Sequence, residues 1–256
     1  MDPNNLRKGY RNDIFAKYDR ELSVNAQPVA SSSSNVRERF ITKTYLNLTY
    51  AVLAFAALEA LVFATVGVNA VVAFCVQHAK LVSLMLLAIC LGGPAILSFS
   101  LGKNPSRPRQ YFALGFYVVM YALMFMPLLA FAMIKTGDMS LIWQASGLTA
   151  ALFVALSSAV FFTRKDFSFL RSALMFVGIA AIILVVAAMI FGFTLGTWFV
   201  IAMIAFACGF VLYDTSNIML HYQEGDDVFA AISIFSSLLT LFYYILMLLV
   251  SRSSDS

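Results

Sequence analysis

The sequence predicts an all-α integral membrane protein, a bundle of seven transmembrane helices. Three observations predict it. The 256 residues are 61% hydrophobic and only 12% charged, whereas a soluble domain carries about 25% charge and about 45–50% apolar residues. Apolar stretches of about 20 residues, the length that crosses a bilayer as a helix, recur evenly from Tyr45 to Val250. The connections between them are short, which favours antiparallel neighbours in one compact unit.

Taken in order, residues 1–38 are polar, of mixed charge, and hold no apolar run fit for a signal peptide. They read as a disordered cytoplasmic tail with a short helix over 12–22. The transmembrane domain covers 39–251. Its first span, 44–66, carries Glu59, and the second, 81–101, contains Gly92, Gly93 and Pro94. The third, 111–134, contains Pro127, and a proline inside a helix removes one backbone hydrogen bond and bends the rod. In the fourth, 142–163, Ala151, Ala155 and Ala159 form a small-residue stripe expected to let a neighbouring helix approach closely. The fifth is 172–191. The sixth, 198–220, carries Asp214, and the seventh is 228–250.

Orientation follows from the basic residues, which gather on the cytoplasmic side of membrane proteins. Of 17 lysines and arginines, eight precede the first span. Lys103, Arg107 and Arg109 follow the second, and Arg164, Lys165 and Arg171 follow the fourth. Only Lys80, Lys135 and Arg252 lie on the other side. The amino terminus is therefore expected in the cytoplasm and the carboxyl terminus outside. The loop after the sixth span is expected on the cytoplasmic side yet holds no lysine or arginine. Its Glu224, Asp226 and Asp227 either face the basic loops across the inner mouth or form a solvated acidic loop.

Composition also excludes several chemistries. The seventh span has no lysine for a retinal Schiff base. The only histidines, His78 and His221, lie outside the span cores, so neither a zinc hydrolase nor a serine–histidine protease has its ligands or base. Cys75, Cys90 and Cys208 show no motif spacing, and the two within spans read as small packing residues. The chain is not expected to be an enzyme. What remains is permeation, sensing or protein–protein interaction.

Glu59 and Asp214 are the only ionisable residues well within the spans. A carboxylate at mid-membrane opposes insertion by about 2.5–3.5 kcal/mol, so such groups usually face the bundle interior and mark a pathway or switch. The alternatives are a helix-end carboxylate hydrogen-bonded to Thr215, Ser216 or Asn217, and for Glu59 a protonated acid in the bundle.

The stretches "TAALFVALSSAVFFTRKDFSFLRSALMFVGIAAIIL" (149–184), "VLYDTSNIMLHY" (211–222) and "TYLNLTYAVLAFAA" in the first span resemble the Bax inhibitor-1 family. The resemblance covers the membrane part from Thr44 to Val250 and implies a seven-helix bundle with the last helix central. It implies a calcium leak channel gated by pH at the cytoplasmic side, where two aspartates share a proton and hold a latch. One of them matches Asp214. At the place of the second stands Ser237, and the nearest substitute for the family's partner arginine is Lys103. A lone aspartate lacks the like-charge repulsion that makes a carboxylate pair take up a proton. Asp214, Ser237, Thr240 and backbone carbonyls would form at most a weak calcium site, with no tight metal site, because calcium takes about 6–8 oxygens. Glu59 falls outside the family pattern and would add an acidic contact along the ion path.

The expected function is thus a Bax inhibitor-1-like cation leak, with calcium as the permeant ion, no cofactor, and the lipid bilayer as partner. The alternative is a non-conducting interaction protein that modulates a membrane-bound ATP-dependent protease. No nucleic-acid partner is expected. From its short tails, without an organelle retention signal, the expected location is a bacterial cytoplasmic (inner) membrane.

Overall fold

The structure, a computed structural model, describes residues 28–87 and 106–253. After a single 3-10 turn at Val29–Ser31, the described residues form helices α1 (Ser34–Thr65), α2 (Val68–Gln77), α3 (Ala79–Leu87), α4 (Arg107–Thr136), α5 (Ser140–Thr163), α6 (Leu170–Phe191), α7 (Gly196–Leu220) and α8 (Asp227–Arg252). Six of these, α1 and α4 to α8, are long and apolar enough to cross a membrane alone. The pair α2 and α3 passes the same test jointly but bends by 92° at its break, as a broken span or re-entrant loop does.

Local chemistry sets the ends. Pro108 sits in the first turn of α4, where its missing N–H has no partner to lose. Gly137 and Gly192 close α4 and α6 in the left-handed region, at φ of 75° and 73°, where a Cβ would be strained.

The last helix is the hub. Val228, Ala230, Ile232, Ile234 and Phe235 are buried on different sides of α8, which packs against α1, α4, α5 and α7. A helix apolar all round belongs in an interior. By contrast α6 leans mainly on α7 through two notches. A Cβ added at Gly209 would come within 3.0 Å of Leu174, and one at Gly178 within 3.3 Å of Phe206. At mid-bundle, Phe125 is fully buried among Phe55, Tyr121, Phe242 and Tyr243, with ring centroids 5.2–6.4 Å apart.

Several boundaries differ from expectation. The first helix begins at Ser34, and residues 28–38 belong to the bundle instead of a tail. Arginine and glutamate are good helix formers, and Phe40 joins the buried stripe Thr44, Asn47, Leu48, Ala51, Phe55 and Glu59. Residues 1–27, with the helix expected over 12–22, lie outside the described residues, as do 88–105 with Cys90, Pro94 and Lys103. The supposed loop between the first two spans is helical: Val71, Cys75 and Val82 pack with Ala130 of α4. The stripe Ala151, Ala155 and Ala159 does not mediate packing. All three are exposed, and α5 buries Ala145, Thr149, Ser157 and Val160 instead. Small apolar residues are equally at home against lipid, so the stripe carries no direction by itself.

Candidate functional site

The final turns of α7 read Tyr213-Asp214-Thr215-Ser216-Asn217. At about 100° per residue a helix points consecutive side chains to different neighbours. Asp214 faces α8, Thr215 faces α5, and Ser216 faces the α5–α6 loop. Ser216 Oγ accepts the Phe167 N–H at 3.0 Å and donates to the Lys165 carbonyl at 3.4 Å. Thr215 meets Ser157 at 3.4 Å, with the Tyr45 hydroxyl beside both.

Asp214 is only 4% exposed. Its Oδ1 accepts the Ser233 hydroxyl at 2.7 Å, and its Oδ2 accepts the Ser237 hydroxyl. Ser233 and Ser237 are one turn apart on one face of α8, the spacing that lets a helix present two donors to one carboxylate. The structure thus brings Asp214 and Ser237 together. Lys103 lies outside the described residues. Thr240 does not join them: its hydroxyl donates to the Ser236 carbonyl on its own helix at 2.8 Å. Glu59 is 5% exposed, one turn beyond Phe55 on the buried stripe of α1, and neither carboxylate oxygen has a hydrogen-bond partner among the described residues.

Ser233 also faces the phenol of Tyr222 in the α7–α8 loop. Burial, then the negative charge of Asp214, push that phenol up to about 12. The polar groups therefore run from Asp214 through Ser233 to the loop. Beyond it, Asp227 is not a solvated loop acid. It is 3% exposed, with Oδ1 2.7 Å from Arg107 Nη1 and Oδ2 accepting Asn47 Nδ2 at 3.2 Å. This clasp joins the starts of α4 and α8 to α1, and the N-terminus of α8 favours the carboxylate further. Of the two acidic-loop readings, docking on a basic segment holds for Asp227, whereas Glu224 is exposed. Asp226 is raised by burial and then by the charge of Asp227, against the Gln223 backbone and Arg107. At the surface His221 Nε2 lies 3.6 Å from Asp166, whose pKa is held down chiefly by the Ser168 N–H.

Sequence reasoning missed Ser233, Tyr222 and Asn47; it offered an acidic loop facing the basic loops as one reading, without singling out Arg107 and Asp227 as the pair. For Ser233 there was a signal: a serine four residues from Ser237 shares its face. For Arg107 and Asp227 the signal was the opposite charge of two loops on one side, whereas nothing linear connects Asn47 with Asp227.

A core of apolar helices wrapped round the last one, with buried carboxylates at one end, defines a multi-pass helical membrane protein that keeps charge inside its bundle. The chain belongs to the Bax inhibitor-1 family: the family described as inhibitor of apoptosis-promoting Bax1 matches residues 37–254. Bax inhibitor 1 of Schizosaccharomyces pombe is 26% identical over 231 residues, covering 88% of this chain and 81% of that protein. Protein lifeguard 4 of Mus musculus is 26% identical over 220 residues, 85% of this chain and 87% of its own length. An uncharacterized membrane protein of Vibrio cholerae is 36% identical over 127 residues, 48% of this chain. That match spans about half of the bacterial relative, 55% of its length.

Proposed function

We propose that the protein is a cation leak pathway, with calcium as the permeant ion, gated where the α7–α8 loop lies. That end is taken as the cytoplasmic face of a bacterial inner membrane. The observation that carries the reading is Asp214, a carboxylate buried on one helix and gripped by two hydroxyls of the central helix. A charge in that position favours whichever arrangement of α7 and α8 satisfies it, and only a group with different partners in two states can shift their equilibrium. The aromatic cluster around Phe125 fills the bundle just beyond, which fits a closed arrangement. With Ser237 at the second latch position, the closed state rests on charge-to-hydroxyl bonds and not on a proton shared by two carboxylates. Asp214, Ser233 and Ser237 offer too few oxygens for tight calcium binding, which suits passage.

The test is calcium flux into liposomes at several pH values. A hydrogen bond to a charged group contributes about 1.5–3 kcal/mol, so Asp214→Asn should raise flux about 10–150-fold and flatten its pH profile. Ser237→Asp rebuilds the carboxylate pair and should make flux steeply pH-dependent. If the three profiles superimpose, Asp214 is a structural residue. If the wild type passes no calcium, the channel reading fails and an interaction protein is the reading that stands.

A further inference from the structure

The segment just before α1 is held against the loop that carries Tyr222. The Val29 N–H donates to the Tyr222 carbonyl at 2.9 Å, and Pro28 forms an antiparallel bridge with Gln223. The Val29 side chain is 1% exposed, set against α1 and α7. Ser31 Oγ bonds back to the Pro28 carbonyl at 2.8 Å, which fixes the turn. On the far side Phe40 meets the Tyr222 ring at 6.4 Å. Tyr222 is therefore held through its backbone by Val29 and through its ring by Phe40, while its phenol faces Ser233 and Asp214.

We propose that residues 28–31 are an autoinhibitory strap that holds the α7–α8 loop down and, through Tyr222, keeps the Asp214–Ser233–Ser237 cluster closed. The effect on permeation rests on the channel reading above; the hold on the loop does not. The strap is built to be released. Among the described residues its grip is one buried valine and the backbone pairing of Pro28 and Val29 with Gln223 and Tyr222, and Ser32 and Ser33 connect it straight to α1. Lifting it frees the Tyr222 carbonyl and the loop while the bundle below stays packed.

Two variants separate the two parts. In Val29→Asp, a charge replaces the buried side chain, and backbone amides of 221–237 should exchange hydrogen about tenfold faster, the loss of a contact worth one decade of equilibrium constant. Exchange in α4 and α5 should be unchanged. Equal exchange in 221–237 would overturn the strap.

The second variant joins Pro28→Cys to Gln223→Cys in a chain whose own three cysteines are alanine. Bridged residues lie about 4.5–5.5 Å apart between Cα atoms, within disulfide reach, and both positions are exposed to oxidant. With the cross-link complete by mass spectrometry, calcium flux should fall several-fold and recover on reduction. If wild type conducts and the oxidised and reduced forms conduct equally, the strap does not govern the path. If wild type does not conduct, the channel reading falls, and the exchange experiment alone decides the strap.

Discussion

Removing Arg107 should expose how much the clasp at the start of the central helix contributes. An exposed ion pair is worth about 0–1 kcal/mol, and breaking a fully buried one costs about 3–5 kcal/mol because a charge is left dry and alone. The Arg107–Asp227 pair lies between, since the guanidinium is 47% exposed and the carboxylate 4%. After Arg107→Ala, Asp227 keeps the Asn47 amide and the positive end of α8, so part of its charge stays compensated. The expected loss is about 2 kcal/mol, near the value of one charge-assisted hydrogen bond. For a chain of this size that is a fall of roughly 4–8 °C in the melting temperature. The assay is unfolding of the purified protein in detergent for wild type, Arg107→Ala, Asp227→Asn and the double variant. The coupling term of the cycle isolates the pair. A coupling below about 0.5 kcal/mol, within the scatter of independent sites, would show that Asp227 is buried for reasons other than its partner and would refute the clasp.

Two further outcomes follow. Phe125→Ala should destabilise the bundle by about 2–3 kcal/mol, read in the same assay. In lipid the transfer contribution is small, but the ring leaves roughly 100 Å³ at about 24 cal/mol per Å³; a neutral result would mean that the cluster collapses freely. The Tyr222 phenol should ionise late, near pH 12, seen as a difference in tyrosinate absorbance between wild type and Tyr222→Phe. Because its folded pKa is raised, the stability it contributes is complete below the ordinary tyrosine pKa of about 10 and is lost between there and about 12. Ordinary titration of that phenol would mean that the loop stands open.

Much of the bundle was legible because lipid imposes one rule, that a spanning segment must be apolar and helical. Asp214 was legible for the same reason, being costly where it sits. Its partner Ser237 was legible only through the family pattern. Features at the membrane edge were not. Ser34 to Lys43 has no apolar run, so hydropathy passes over the start of α1 although its helix propensity is sound. Asp227 reads as one more acid in "EGDD", because burial there depends on Arg107 and Asn47 arriving from distant parts of the chain. The orientation of Ala151, Ala155 and Ala159 was not legible either, since the same residues suit a helix contact and a lipid face.

That the hub of the bundle is its last helix has a consequence for synthesis. Chains emerge amino terminus first, and Asn47, Tyr121 and Asp214 point inward toward groups on Asp227–Arg252. Each must enter the membrane before its partner exists. Until the final helix leaves the ribosome, the earlier spans form an open cradle holding a carboxylate that no hydroxyl yet satisfies. A nascent chain stalled before Asp227 is thus unfinished in a form a membrane quality-control system can detect, as polar groups facing lipid. Insertion of the last helix gives Asn47, Tyr121 and Asp214 their partners in a single step.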